Sequence, residues 1–219
     1  MLGRIHAHQK GDTLIEVLFA VTVFSLVAVG SLAIMNQGIA TSQRALEITI
    51  VRQEIDAQSQ ALRFMNNAYV ANYETKGTYP STTPAGQWAT MLASIIATPV
   101  QIQTEFGNVS TCPNHPPDGS FIINAHAAKF VSAIGNNVLQ PATTSYAQVN
   151  YQTDKITGIS SVTSAQGIWI EAVQSAVSGD KNQVNAGYID FHILACWNGP
   201  GSGPPVTIGT IVRLYEPRG

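Results

Sequence analysis

The sequence predicts an α+β protein in which one long N-terminal helix, about residues 13–73, packs on a small antiparallel sheet. Three observations carry that expectation. From Leu14 to Met35 the chain is apolar or small and uncharged except at Glu16, with Thr22, Ser25 and Ser31 the only hydroxyls. From Asn36 to Tyr73 there is no Pro, Gly38 is the only Gly, and apolar residues recur at helical spacing. In the C-terminal quarter, three segments alternate or run apolar with β-branched and aromatic residues, bounded by turns.

The first run, as a helix rising about 1.5 Å per residue, spans roughly 33 Å, enough to cross a bilayer core. A carboxylate there costs on the order of 2.5–3.5 kcal/mol at mid-membrane, so it is usually paired and usually functional. The plainer alternative is that Glu16, two residues inside the run, snorkels to the headgroups. Arg4 and Lys10 precede the run and keep the N-terminus cytoplasmic by the positive-inside rule. Everything after Met35 then lies outside the cytoplasm. A secretory signal peptide has a shorter apolar region, about 7–15 residues, ending in a small-residue cut. No compelling A-x-A site follows Met35, and the helical pattern continues instead.

In that continuation Ile48, Val51, Ile55, Leu62, Met65 and Tyr69 form one stripe, with Gln58 filling its gap. Arg44, Glu47, Arg52, Glu54, Asp56 and Arg63 fall mainly off it. An unbroken helix would be roughly 90 Å long, far beyond the usual three turns, and needs packing along its course. Lys76-Gly77-Thr78-Tyr79-Pro80 ends it, with Gly77 as a cap and Pro80 forbidding continuation. Trp88 to Thr98 then reads as a short helix and Val100 to Phe106 as a first strand. Gly107 to Asn150 is ambiguous, and Cys112 to Pro117 within it is a loop. Strands follow at Gly167 to Gln174, Tyr188 to Trp197 and Val206 to Tyr215. In the second of these, Ile189, Phe191, Ile193, Ala195 and Trp197 line one face, while Tyr188, Asp190, His192 and Cys196 line the other. The turn-forming stretches 178–182 and 198–205 permit an antiparallel meander whose apolar face covers the helix stripe. No internal repeat is visible.

Composition agrees with an exported, membrane-anchored chain carrying one soluble domain. Charged residues make up 11%, well below the soluble average of about 25%. The net charge of −2 argues against electrostatic nucleic-acid binding. Cys112 and Cys196 are the only cysteines, and outside the cytoplasm an even count favours a disulfide. The competing readings are two free thiols, or a zinc site from Cys112-x-x-His115 and His192-x-x-x-Cys196. In a strand His192 and Cys196 lie about 13 Å apart, too far for one ion. No metal or other cofactor is expected.

Catalysis finds no support. His126, His192, Asp190 and scattered serines occur without a nucleophile elbow, paired-carboxylate signature or phosphate-binding loop, so no catalytic residue is assigned. Asp118-Gly119-Ser120 and Asp180-Lys181-Asn182 read as turns sooner than calcium loops. The Asn108-Val109-Ser110 sequon carries little weight, and Tyr79, Trp88 and Trp169 read as core sooner than a sugar-binding surface.

Gly11-Asp12-Thr13-Leu14-Ile15-Glu16-Val17 resembles the N-terminus of type IV prepilins and of the pseudopilins of type II secretion. That family has a short basic leader ending in Gly, a cut, then an aromatic-Thr-Leu-Ile-Glu-Val run opening a long apolar helix. Thr13 to Val17 match position by position, and Glu16 becomes the fifth residue of the mature chain. The family usually offers Phe after the cut and N-methylates it; here that position is Asp12. The match covers about the first thirty residues. It implies a leader at 1–11 cut between Gly11 and Asp12, a transmembrane and assembly half of the helix at 12–35, an amphipathic half at 36–76, and a globular α+β head at 77–219. Together these make the ladle shape of pilins.

The resemblance implies an inner-membrane, single-pass chain with its head outside, extracted into a surface or periplasmic filament after processing by prepilin peptidase. Cleavage frees an α-amine, normally of pKa near 8 and mostly cationic at neutral pH. In a helix bundle Glu16 of one subunit can pair with the amine of its neighbour, and such buried pairs serve register better than stability. Asp12 adds a carboxylate that competes for the amine or caps the helix. The expected partners are other pilins, the peptidase, the inner-membrane assembly platform and lipid before assembly, with no nucleic acid. The head's size, Asp12 and low charge lean toward a minor pilin, and 43–56 loosely resembles the PilV type. The alternatives are a type II secretion pseudopilin, a tip adhesin or DNA-uptake module, and an anchored domain that never polymerises.

Overall fold

The structure, a computed structural model, describes residues 12–73, 79–97, 111–132, 137–143, 146–174, 187–201 and 203–217. It contains a long N-terminal helix followed by a small antiparallel sheet, an α+β arrangement. Helix α1 runs Asp12–Ala71, then tightens as Asn72 N–H donates to Tyr69 O at 3.1 Å. The predicted cap at Gly77 and the leader 1–11 lie outside the described residues. Two compact units divide the chain, one ending at Gln43 and the other beginning at Arg44. That boundary falls inside the 36–76 segment assigned from sequence to the amphipathic half.

The stripe on the second half of α1 is buried as its spacing requires. Val51, Ile55, Leu62 and Met65 sit in the main core, with Ile48 and Tyr69 partly buried at its ends. Burying each large apolar side chain contributes about 1.5–3 kcal/mol, so this stripe is a principal attachment of helix to sheet. Helix α2, Pro84–Ala97, begins with Pro at its first position and Thr83 as its cap, Thr83 Oγ1 accepting from Gly86 N–H at 3.2 Å. Trp88, Met91 and Ile95 carry it into the same core.

The main sheet is antiparallel, in the order β2-β1-β6-β7-β8. Its strands are β1 Phe121–Asn124, β2 Lys129–Ser132, β6 Ile168–Gln174, β7 Tyr188–Trp197 and β8 Val206–Tyr215. The last three match the predicted meander, with Tyr188 opposite Tyr215 and Trp197 opposite Val206. As predicted, Ile189, Phe191, Ile193, Ala195 and Trp197 face the core. A second, three-stranded sheet was not foreseen: β3 Leu139–Gln140, β4 Gln148–Thr153 and β5 Ser160–Gln166, in the order β3-β5-β4. The predicted strand at Val100 to Phe106 lies outside the described residues.

Gly167 is the corner between the two sheets, joining β5 to β6. Its φ is +65°, and a Cβ there would come within 2.6 Å of Cys196 O and 2.7 Å of the Ala142 Cβ. Only glycine satisfies both the left-handed backbone and the close approach.

Candidate functional site

The first compact unit holds the apolar half of α1, the one helix among the described residues long and apolar enough to cross a membrane. Its apolar side chains surround the whole circumference and are exposed, Phe24 and Leu26 at 74%. A helix apolar all round belongs in lipid or among other helices. Four of its hydroxyls are satisfied one turn back: Thr22 donates to Phe19 O, Ser25 to Val21 O, Ser31 to Val27 O and Thr41 to Gln37 O, at 2.7–2.8 Å. Such back-bonding makes them compatible with hydrocarbon.

Glu16 is the only charged residue between Thr13 and Gln43, and its side chain is exposed. On a helix it neighbours positions 12, 13, 19 and 20. These are Asp12, Thr13, Phe19 and Ala20, none of them a cation. No cationic side chain lies within one helical turn of Glu16 along α1. Asp12 opens α1, and Gly11 lies outside the described residues.

In the second unit, two acids sit on the helix near the sheet. Glu47, expected off the stripe, is buried and accepts from Trp197 Nε1–H at 3.0 Å. One turn earlier Arg44 donates to Pro204 O at 3.0 Å. Its guanidinium lies so close to Gly203 that a Cβ there would meet Nη1 at 2.8 Å. Helix α1 thus bonds the chain at Trp197 and again at Pro204. Glu54 accepts from Gln58 Nε2–H at 3.3 Å, while Gln58 Oε1 accepts from the buried Ile123 N–H at 3.0 Å. Burial pushes the Glu54 carboxyl above its ordinary range. Tyr151, facing Glu54 and stacked on His126 at 4.1 Å between ring centroids, is pushed up to about 12, chiefly by burial.

Cys112 and Cys196 form a disulfide, their Cα atoms 5.5 Å apart. Both thiols are consumed by it, so the alternative zinc set from Cys112, His115, His192 and Cys196 is set aside. No cluster of metal-ligating side chains occurs among the described residues. The disulfide ties the 111–117 loop to β7 beside a second small apolar cluster of Trp169, Leu194 and Cys196. Asp118-Gly119-Ser120 is a turn, with Ser120 N–H donating to Pro117 O at 3.1 Å. Asp180-Lys181-Asn182 lies outside the described residues. Trp88 and Trp169 are core residues, and Tyr79 is half-buried against Tyr69.

On the outer face of the β7–β8 hairpin, Arg213 grips Asp190 through two hydrogen bonds, 2.8 and 2.7 Å, and stacks 4.0 Å from the Tyr188 ring centroid. Those bonds hold the Asp190 carboxyl below the usual carboxylate range. Sequence reasoning did not identify the Glu47–Trp197 and Gln58–Ile123 links. The available signals were a polar residue filling a gap in an apolar stripe, and an acid one turn before Val51. Compared with family models, with curated proteins and with solved structures, the chain matches none.

Proposed function

We propose that the chain is a prepilin-like structural subunit, a minor type IV pilin that primes or tips a filament and performs no catalysis. The observation that carries this reading is Glu16, a lone carboxylate near the start of an apolar helix that offers it no cationic side chain within a turn. The resemblance of Thr13-Leu14-Ile15-Glu16-Val17 to the prepilin pattern supports it. On this reading the leader is removed after Gly11, and the freed amine of Asp12 becomes cationic. Glu16 of one subunit takes the amine of the next, fixing the axial register of neighbouring helices. Before assembly the apolar half of α1 lies in the inner membrane, with the disulfide-bonded head outside the cytoplasm.

The test has two arms. Intact-mass spectrometry of the membrane-extracted protein, from cells with active prepilin peptidase, is expected to find a chain starting at Asp12. Retention of Met1 and the leader removes the filament reading. In the second arm Glu16→Ala is expected to lower recovery in sheared filaments about tenfold or more while membrane levels stay unchanged. That corresponds to at least about 1.4 kcal/mol of lost pairing. Equal recovery removes the electrostatic register.

A further inference from the structure

The main sheet ends differently on its two sides. The β2 edge is four residues long, packs against α2, and has its Phe130 N–H taken by Gln87 Oε1 at 3.0 Å. The β8 edge is ten residues long, pairs with β7 without a register shift, and contains no proline. Among the described residues no strand lies on its outer side. Edges of this length are ordinarily blunted by charge, proline or a bulge. The one charge here, Arg213, is already held by Asp190.

Which groups face that edge follows from the pairing. In an antiparallel strand each residue sends its N–H and C=O to the same side, and successive residues alternate. Cys196 N–H donates to Gly167 O at 2.8 Å, so the even residues of β7 face β6. Glu216 N–H donates to Gly187 O at 2.9 Å, so odd residues on the β7 side pair with even ones on the β8 side. Thr207, Gly209, Ile211, Arg213 and Tyr215 therefore direct their backbone groups at the open edge. All but Thr207 are exposed, Ile211 at 59% and Tyr215 at 58%.

We propose that β8 pairs antiparallel with β8 of a second copy, about a twofold axis at Ile211. Ile211 then meets Ile211, Gly209 meets Arg213, and Thr207 meets Tyr215, so every outward-facing residue is used. On the inner face Ile208 meets Leu214 and Thr210 meets Val212. The register is self-complementary: the only cation lies opposite a residue with no side chain, Ile211 and the Ile208–Leu214 pairs set apolar against apolar, and the two threonines meet Tyr215 and Val212. Moving the axis to Arg213 would set two guanidiniums against each other, which is destabilising. A groove of about 460 Å³, lined by His192, Leu194 and residues 207–211, flanks Gly209. The pairing is isologous and closes at two copies. It goes beyond the filament reading and holds whether or not the chain is extracted from the membrane.

The experiment uses the full chain in detergent micelles, with single cysteines introduced and oxidised. Hydrogen-bonded antiparallel partners have Cα atoms about 5.5 Å apart, so Ile211→Cys is expected to give a disulfide-linked dimer. Arg213→Cys, set by the register opposite Gly209, and Ile156→Cys on the exposed β4–β5 turn are expected to give about tenfold less or lower. Adding Gly209→Pro to Ile211→Cys removes an outward N–H and is expected to cut the yield about tenfold with the circular dichroism unchanged. Gly209→Arg, which sets a cation opposite Arg213, is expected to do the same and serves if proline disrupts the strand. Equal yields at 211, 213 and 156 overturn the proposal. So does a yield at 211 that neither change at Gly209 lowers, or an edge filled only by a strand of another protein.

Discussion

The two halves of α1 use similar apolar residues to opposite ends. From Leu14 to Met35 large apolar side chains point in every direction and stay exposed, with one carboxylate among them. From Arg44 to Ala71 the apolar residues that matter occupy one stripe, and charged residues return around it. The first half has no face because its environment is to be uniform; the second has a face because the sheet supplies one side and water the other. Helical continuity alone does not make a structural unit. The compact unit containing the sheet claims the helix only from Arg44 onward.

The largest effect that sharpens this contrast comes from one deletion made twice. Leu62→Ala, at a fully buried position, is expected to destabilise the head by about 2–5 kcal/mol. Leu26→Ala, in the exposed half, is expected to change the head's stability by less than about 0.5 kcal/mol. Denaturant unfolding in micelles measures both. Comparable losses would mean that the two halves are not energetically separate.

A smaller effect tests the polar member of the stripe. Gln58→Leu keeps the position apolar and filled but leaves the Ile123 N–H without its acceptor. A loss of about 1–3 kcal/mol is expected, against a gain if Gln58 were only tolerated there. The smallest effect concerns Glu54. Burial raises its folded pKa, so its charged form is costly in the fold. Stability should fall as pH rises from the unfolded carboxyl value through the raised folded one, because the folded state binds the extra proton. Glu54→Gln is expected to remove this contribution, so that the melting temperature falls less than wild type's as pH rises above the ordinary carboxylate range. An unchanged slope would reassign that dependence to other groups.

Much of this arrangement was legible before any coordinates. The Ile48-to-Tyr69 stripe and the β6–β8 meander were readable because helical spacing and strict alternation are strong, local signals. The remaining strands carried neither. Phe121–Asn124 is buried throughout, so it shows a short apolar run without alternation. Gln148–Thr153 and Ser160–Gln166 are polar along most of their length and held by side-chain bonds such as Asn150 to Ser164 at 3.0 Å. Leu139–Gln140 is too short to have a period. The disulfide was favoured from cysteine count and inferred compartment, which is a chemical argument independent of the fold. Glu47 was placed only as mainly off the stripe; its burial against an indole did not show, because that partner lies 150 residues away in sequence. Such pairings leave no local trace.

The order of strands carries a consequence for how the chain is made. Val51, Ile55, Leu62 and Met65 leave the ribosome early, yet much of what covers them sits on β6, β7 and β8, the last strands synthesised. Until those strands are made the stripe is only partly covered, a condition that favours aggregation of unfinished chains. A truncated product lacking residues beyond about 187 would keep α2 and the earlier strands but leave part of that stripe uncovered, a target for proteolysis.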